Sequence, residues 1–88
     1  MWENFDTTNE NIIKNEVYQD SCQITLEKYP EHYEITGGVY GAFVHTVYCG
    51  KNYMEIYNSM KQELQDFIDR DTTADEEYEF YYYFTNKY

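Results

Sequence analysis

The sequence predicts an α+β fold: one small domain, residues 1–88, of order αβββαβ, with helices packed on one face of a mainly antiparallel sheet. Three observations predict it. Apolar and polar residues alternate through "CQITLEKY" and again from Tyr33, the period of a half-buried strand. "NYMEIYNSMKQELQDFIDR" carries apolar residues at 3–4 spacing, the period of an amphipathic helix. No linker or repeat divides the chain: Pro30 is the only proline, and the four glycines lie in the middle.

Taken in order, residues 8–19 are expected to form a short helix. Thr7 and Glu10 have capping-box spacing, and Ile13 and Val17 stand one helical turn apart, with Ile12 beside them. Cys22, Ile24 and Leu26 then face one way and Gln23, Thr25 and Glu27 the other, giving the first strand. Pro30-Glu31-His32 supplies turn chemistry, and Tyr33 and Ile35 begin a second strand. Gly37-Gly38 is read as a tight turn in preference to a bulge in one long strand. Residues 39–49, "VYGAFVHTVYC", form the third strand; they are apolar on both faces, which predicts a central position in the sheet. Gly41 within it marks a bulge or a close backbone contact.

The clearest helix follows. Asn52 is its expected N-cap with Glu55 at the third position, and Tyr53, Tyr57, Met60, Leu64, Phe67 and Ile68 form its buried stripe. Glu55, Gln62, Glu63, Asp66 and Asp69 lie toward solvent. "DTTAD" ends the helix, and residues 77–85 are read as the last strand.

Charge dominates the composition. Seventeen acids against six bases give a net charge of −11. Solubility alone needs a magnitude of only about 2–8 in a small domain, and like charges at this density oppose folding. An acidic surface can be merely solvating. Aimed at a partner, it selects a basic one, and nucleic-acid-binding proteins supply the commonest basic surfaces in a cell. The same charge argues against direct binding of nucleic acid or an anionic membrane. An aromatic content of 20% separates the chain from disordered acidic tails. The N-terminal "MWENFDTTNE" has no basic region or apolar stretch of a signal peptide, and no run approaches the ~18 apolar residues of a membrane span. Two cysteines, Cys22 and Cys49, make no disulfide framework, so a cytoplasmic protein with two reduced, buried thiols is expected.

Motifs for chemistry mostly fail on spacing. Neither the cysteines nor the histidines have the short spacing of zinc ligands. Asp69, Asp71, Thr73 and Asp75 alternate like a calcium loop, but Ala74 occupies the glycine position and Phe80 the bidentate glutamate position. On a strand, Cys49 and His45 would stand roughly 13 Å apart, beyond hydrogen-bond reach. His45 is read as a satisfied sheet histidine and His32 as a turn residue. No glycine-rich loop precedes a helix. No cofactor or metal is expected, no catalytic residue is assigned, and the protein is expected not to be an enzyme.

The tail "DEEYEFYYYFTNKY" is the densest feature. With period two, Tyr78, Phe80, Tyr82 and Phe84 face the core, and Asp75, Glu77, Glu79, Tyr81, Tyr83 and Thr85 face out. Carboxylates in such a row repeat at about 6.6–6.8 Å. That is close to the roughly 6–7 Å between adjacent phosphates on one DNA strand, whose axial rise is about 3.4 Å. Flanking acids also act as gatekeepers against aggregation of an aromatic run. Gatekeeping would not need the acids to continue back to Asp66, yet residues 66–79 hold seven acids against one arginine.

Size, charge, the expected αβββ opening and "DEEYEFYYY" together resemble the small, acidic, bacteriophage-encoded inhibitors of host nucleic-acid enzymes, the DNA mimics and anti-CRISPR proteins. The Tyr/Asn/Lys/Ile-leaning composition also looks like that of a low-GC genome. The resemblance implies a mechanism: occupying the cleft that would hold DNA, often around a protospacer-adjacent motif, and blocking its entry. On this reading Asp66, Asp69, Asp71, Asp75, Glu77 and Glu79 contact lysines and arginines of a basic host nuclease or effector complex, with Tyr81 and Tyr83 at the centre. Two other readings share the sequence: an antitoxin or immunity protein for a basic toxin, and an oligomeric module, such as a homodimer, in which "EFYYYF" pairs between subunits.

Overall fold

A computed structural model describes residues 1–5, 9–70 and 72–88. Five strands precede two helices: β1 (Trp2–Asn4), β2 (Ile12–Tyr18), β3 (Cys22–Lys28), β4 (Tyr33–Val39), β5 (Phe43–Cys49), α1 (Tyr53–Asp69) and α2 (Ala74–Lys87). All neighbouring strands are antiparallel, in the order β1-β2-β3-β4-β5. The α+β class and the helices on one face stand. The order αβββαβ does not, because two elements exchange type.

The first exchange is at 8–19. Residues 12–18 form β2, paired with β3 from Ile12↔Glu27 to Tyr18↔Cys22. The Ile13–Val17 spacing of four is one helical turn and also two strand repeats, so it separates neither. Isoleucine, valine and tyrosine suit a pleated surface, and β3 offers them a partner. Thr7, the expected capping residue, and Thr8 lie outside the described residues. Beyond β2 the chain reverses through Gln19 and Asp20, at φ 51° and 53°. Positive φ at both central residues is the requirement of a type I′ turn.

The second exchange is at 77–85, which belongs to α2. A run of five aromatics, Phe80 to Phe84, satisfies period two and period 3.6 alike. Burial decides: Phe80 and Phe84 are in the core, whereas Tyr78 and Tyr82, expected beside them, are 62% and 50% exposed. Thr73 caps the helix, its hydroxyl accepting from the Glu76 amide at 3.3 Å. Asp75, Glu76 and Glu77 fill the first turn and Lys87 the last, as the helix dipole favours.

The hairpin between β4 and β5 is also relocated. Gly37 and Gly38 lie inside β4, and the chain turns at 40–42, where the Ala42 amide donates to the Val39 carbonyl at 3.0 Å. Gly41, expected within a strand, has φ 77° at the third turn position, as a type II turn needs. Gly37 serves packing: a Cβ there would stand 3.2 Å from both Leu64 Cδ1 and Met60 Cε. Its bare backbone lets the helices approach the middle of the sheet. β5, expected to be central, is an edge strand.

α1 agrees with the sequence. Asn52 occupies the N-cap position but makes no side-chain cap bond, and Tyr57, Met60, Leu64 and Phe67 are buried, with Tyr53 and Ile68 half-buried. These residues cover Cys22, Ile24, Leu26, Ile35 and Val47 of the sheet. Phe67 of α1 stacks on Phe80 of α2 with ring centroids 4.3 Å apart, and Phe84 packs on Phe43. Both thiols are buried and unpaired. Burial pushes Cys22 up to about 12 and raises Cys49.

One charge lies beneath α1. Glu16 of β2, 8% exposed, accepts from the Tyr57 hydroxyl and, at 2.9 Å, from Lys61 Nζ. Burial pushes its carboxyl up, but the hydrogen bonds from Tyr57 and Lys61 and the nearby lysine charges outweigh this and hold it below the ordinary carboxylate range. Among the described residues, no helix is long and apolar enough to cross a membrane.

Candidate interaction surface

α1 and α2 lie side by side over the sheet, and an open groove of about 750 Å³ runs between them. Glu63, Asp66, Asp69 and Arg70 line it from α1 and its C-cap; Glu76, Glu79, Phe80 and Tyr83 line it from α2. The spacing explains the convergence. Residues 63, 66 and 69 step by three along α1, and 76, 79 and 83 step by three and four along α2, so each set forms one helical stripe. Five carboxylates therefore face one cleft with a single guanidinium.

One of the five is satisfied internally. Glu63 accepts from the Tyr83 hydroxyl, from the Tyr88 hydroxyl at 2.5 Å and from Lys87 Nζ at 3.1 Å. Its burial raises the carboxyl; those three donors and the Lys87 charge outweigh the burial and lower it. The hydrogen bonds to Tyr83 and Glu63 raise Lys87 in turn. The other four have no cation. Asp66 accepts from Gln62 Nε2 at 2.9 Å, Asp69 from the Tyr18 hydroxyl at 2.6 Å, and Glu76 from the Thr73 hydroxyl at 3.2 Å. The ion pairs among the described residues use Glu34, Glu16 and Glu63, and none uses these four or Glu79's neighbours Asp75 and Glu77. Arg70 lies over the Phe67 ring at 5.8 Å and makes no ion pair among the described residues.

The expected contact residues divide. Asp66, Asp69, Glu79 and Tyr83 meet in the groove. Glu77 and Tyr81 do not: they line a separate cleft on the other flank of α2 with Ala42, Phe43, Ala74, Tyr78 and Tyr82, where Tyr81 packs edge-on against Phe43 at 5.3 Å. Asp75 is exposed in the first turn of α2 and lines neither cleft, and Asp71 lies outside the described residues. The expected row of Asp75, Glu77 and Glu79 at phosphate-like intervals does not exist, because residues two apart on a helix point to nearly opposite sides. Two groove acids, Glu63 and Glu76, went unselected by the strand reading. The signal for Glu76 was the Thr73-x-x-Glu76 capping box, which makes 74–87 a helix and aligns Glu76 with Glu79 and Tyr83; Glu63 stands three residues before Asp66 on the same stripe of α1.

No family model matches this chain, and neither a curated protein nor a solved structure matches it. The αβββ opening that formed part of the resemblance to phage inhibitors is absent, since the chain opens with five strands. Size, charge and the acid-and-tyrosine stretch remain, the last now on a helix. Among the described residues, no three His, Cys, Asp or Glu side chains are grouped to hold a metal ion. His45, expected to be satisfied in the sheet, has a buried Nε2 with no hydrogen-bond partner among the described residues and stands edge-on to Phe84.

Proposed function

We propose that this protein is a non-enzymatic inhibitor, of the kind carried by bacteriophages, that binds the basic nucleic-acid-binding surface of a host defence nuclease in the host cytoplasm. The observation that carries this reading is the convergence of Asp66, Asp69, Glu76 and Glu79, none in an ion pair among the described residues, on one open groove between two helices. Four such carboxylates sharing one cleft with a single guanidinium raise the free energy of the isolated chain through mutual repulsion, and a cluster of lysines and arginines relieves it. Such complementarity acts mainly on association rate and specificity. The mimicry is by two helical stripes facing each other, with Tyr83 as the rigid aromatic contact at their base.

The test is capture of a nuclease from bacterial lysate on the immobilised protein, washed at about 0.05 M and about 0.5 M salt, with duplex DNA as competitor. The expected result is a basic nuclease that DNA displaces, that high salt releases, and that D66N/D69N/E79Q fails to retain. A partner that DNA leaves in place, or that the triple variant holds equally well, overturns the DNA-site reading and points instead to an immunity pair.

A further inference from the structure

β5 is written as an interior strand and placed at an edge. "FVHTVYC" is apolar or aromatic on both faces, contains no Asp, Glu, Lys, Arg or Pro, and runs seven residues. Natural edge strands are blunted by charge, proline, bulges or shortness, and β5 has none of these. The opposite edge, β1, is blunted by two of them, shortness and charge: it is three residues long and carries Glu3. β4 pairs with one side of β5, and among the described residues no backbone hydrogen bond reaches its other side. Beside that open edge, on the face away from the helices, stand Val44, 75% exposed, and Tyr48, 71% exposed. Their register partners Gly38 and Glu34 fix that face, because Gly37 and Ile35 turn toward the helices.

We propose that two copies of this chain pair through β5, antiparallel and two-fold symmetric about Thr46, to make one continuous sheet. Three features select this occupant and register. Directly opposite residues in an antiparallel pair share a face, and centring on Thr46 sets Val44 of each copy opposite Tyr48 of the other, an aromatic–β-branched pair made twice. β5 is an uncharged strip on a chain of net charge −11, so this is where a second acidic copy meets least repulsion. The two ends of the strand also differ: Glu77 shares a cleft with Ala42 and Phe43 at one end, and Lys51 follows Cys49 at the other. Antiparallel pairing brings the lysine end of one copy to the glutamate end of the other. β5 then becomes the central strand its composition describes, and the acidic groove of each copy, formed between α1 and α2, stays open.

Analytical ultracentrifugation over a concentration series is the first measurement. The expected species has twice the 10.7 kDa chain mass. V44K and Y48E each weaken association by ~tenfold, because symmetry counts each cross-strand pair twice. V44K/Y48E restores it, since the two new side chains are of opposite charge and face each other across the axis. T46C gives a covalent dimer on mild oxidation, because directly opposite Cα atoms at about 4.5–5.5 Å suit a disulfide. V44C does not, because the same residue of the other copy is offset by four positions, roughly 13 Å. A monomer at every concentration overturns the proposal. So does a dimer indifferent to both single substitutions, or one that V44C cross-links and T46C does not.

Discussion

Two sets of carboxylates lie on either side of α1, and the chain treats them in opposite ways. Beneath the helix, Glu16 is 8% exposed and accepts from both Tyr57 and Lys61. On its α2 side, Asp66, Asp69, Glu76 and Glu79 face an open groove, with no ion pair among the described residues. Folding tolerates a buried charge only when its partners are built in. The groove acids accept only from neutral donors, Gln62, Tyr18 and Thr73, and face solvent across the cleft, an arrangement that adds less to stability than a buried ion pair does. The difference separates an acid with a built-in cation from acids that share one solvent-open cleft.

Five changes test that contrast, and the first acts on the core that holds both helices on the sheet. F84A removes a fully buried ring over Gly37 and is expected to cost about 3–5 kcal/mol in urea unfolding. K61M leaves Glu16 without its cation. A buried pair broken this way costs ~3 kcal/mol or more, but Lys61 is 25% exposed, so the expected loss is at or below that figure. E16L/K61M recovers most of it, because the orphaned charge and not the lost pair is the expensive element. T73A loosens the first turn of α2, the groove's second wall, for about 1 kcal/mol. D66N/E79Q has the opposite sign: removing two uncompensated charges raises stability by ~0.5 kcal/mol or less while abolishing partner retention.

Acid sharpens the same comparison. Glu16 and Glu63 are held below the ordinary carboxylate range in the folded state, so their contribution is fully present above the unfolded value. It is lost as pH falls through the lowered folded values. Stability measured by urea unfolding is therefore expected to hold through neutral pH and decline below ~pH 4, less steeply in E16L/K61M. An unchanged acid limb in that variant would remove Glu16 from the account.

Reading by period succeeded where polar residues interrupt the apolar ones. In α1, Glu55, Asn58, Gln62 and Asp66 separate the buried stripe from solvent, and the helix is recovered to within a residue at each end. β3 alternates cleanly and is equally plain. In "EFYYYF" nothing interrupts the aromatics, so every period fits and only the capping residue Thr73 could have decided. In β2 the apolar spacing of four fits both periods, and a capping box read at Thr7 tipped it the wrong way. The acids of the groove were half found for a related reason. Their number was evident, but which of them meet depends on α2 being a helix that lies along α1, bringing together residues 13 to 20 positions apart: Asp66 and Glu79 line one groove, and Tyr83 donates to Glu63.

The strand order has a consequence for how the molecule comes into being. Each strand pairs with its neighbour in the chain, so the sheet can zip hairpin by hairpin from short-range encounters as the polypeptide leaves the ribosome. The groove is assembled only from residues 63–83, the stretch synthesised after the last strand. Until that stretch docks, the sheet shows a bare face of Cys22, Ile24, Leu26, Ile35, Val39, Phe43 and Val47. A nascent chain thus exposes its apolar face before its groove exists. The acids that give the finished protein its surface arrive together with the helices that hide its stickiness, so the competent surface and the solubility of the chain appear in the same step.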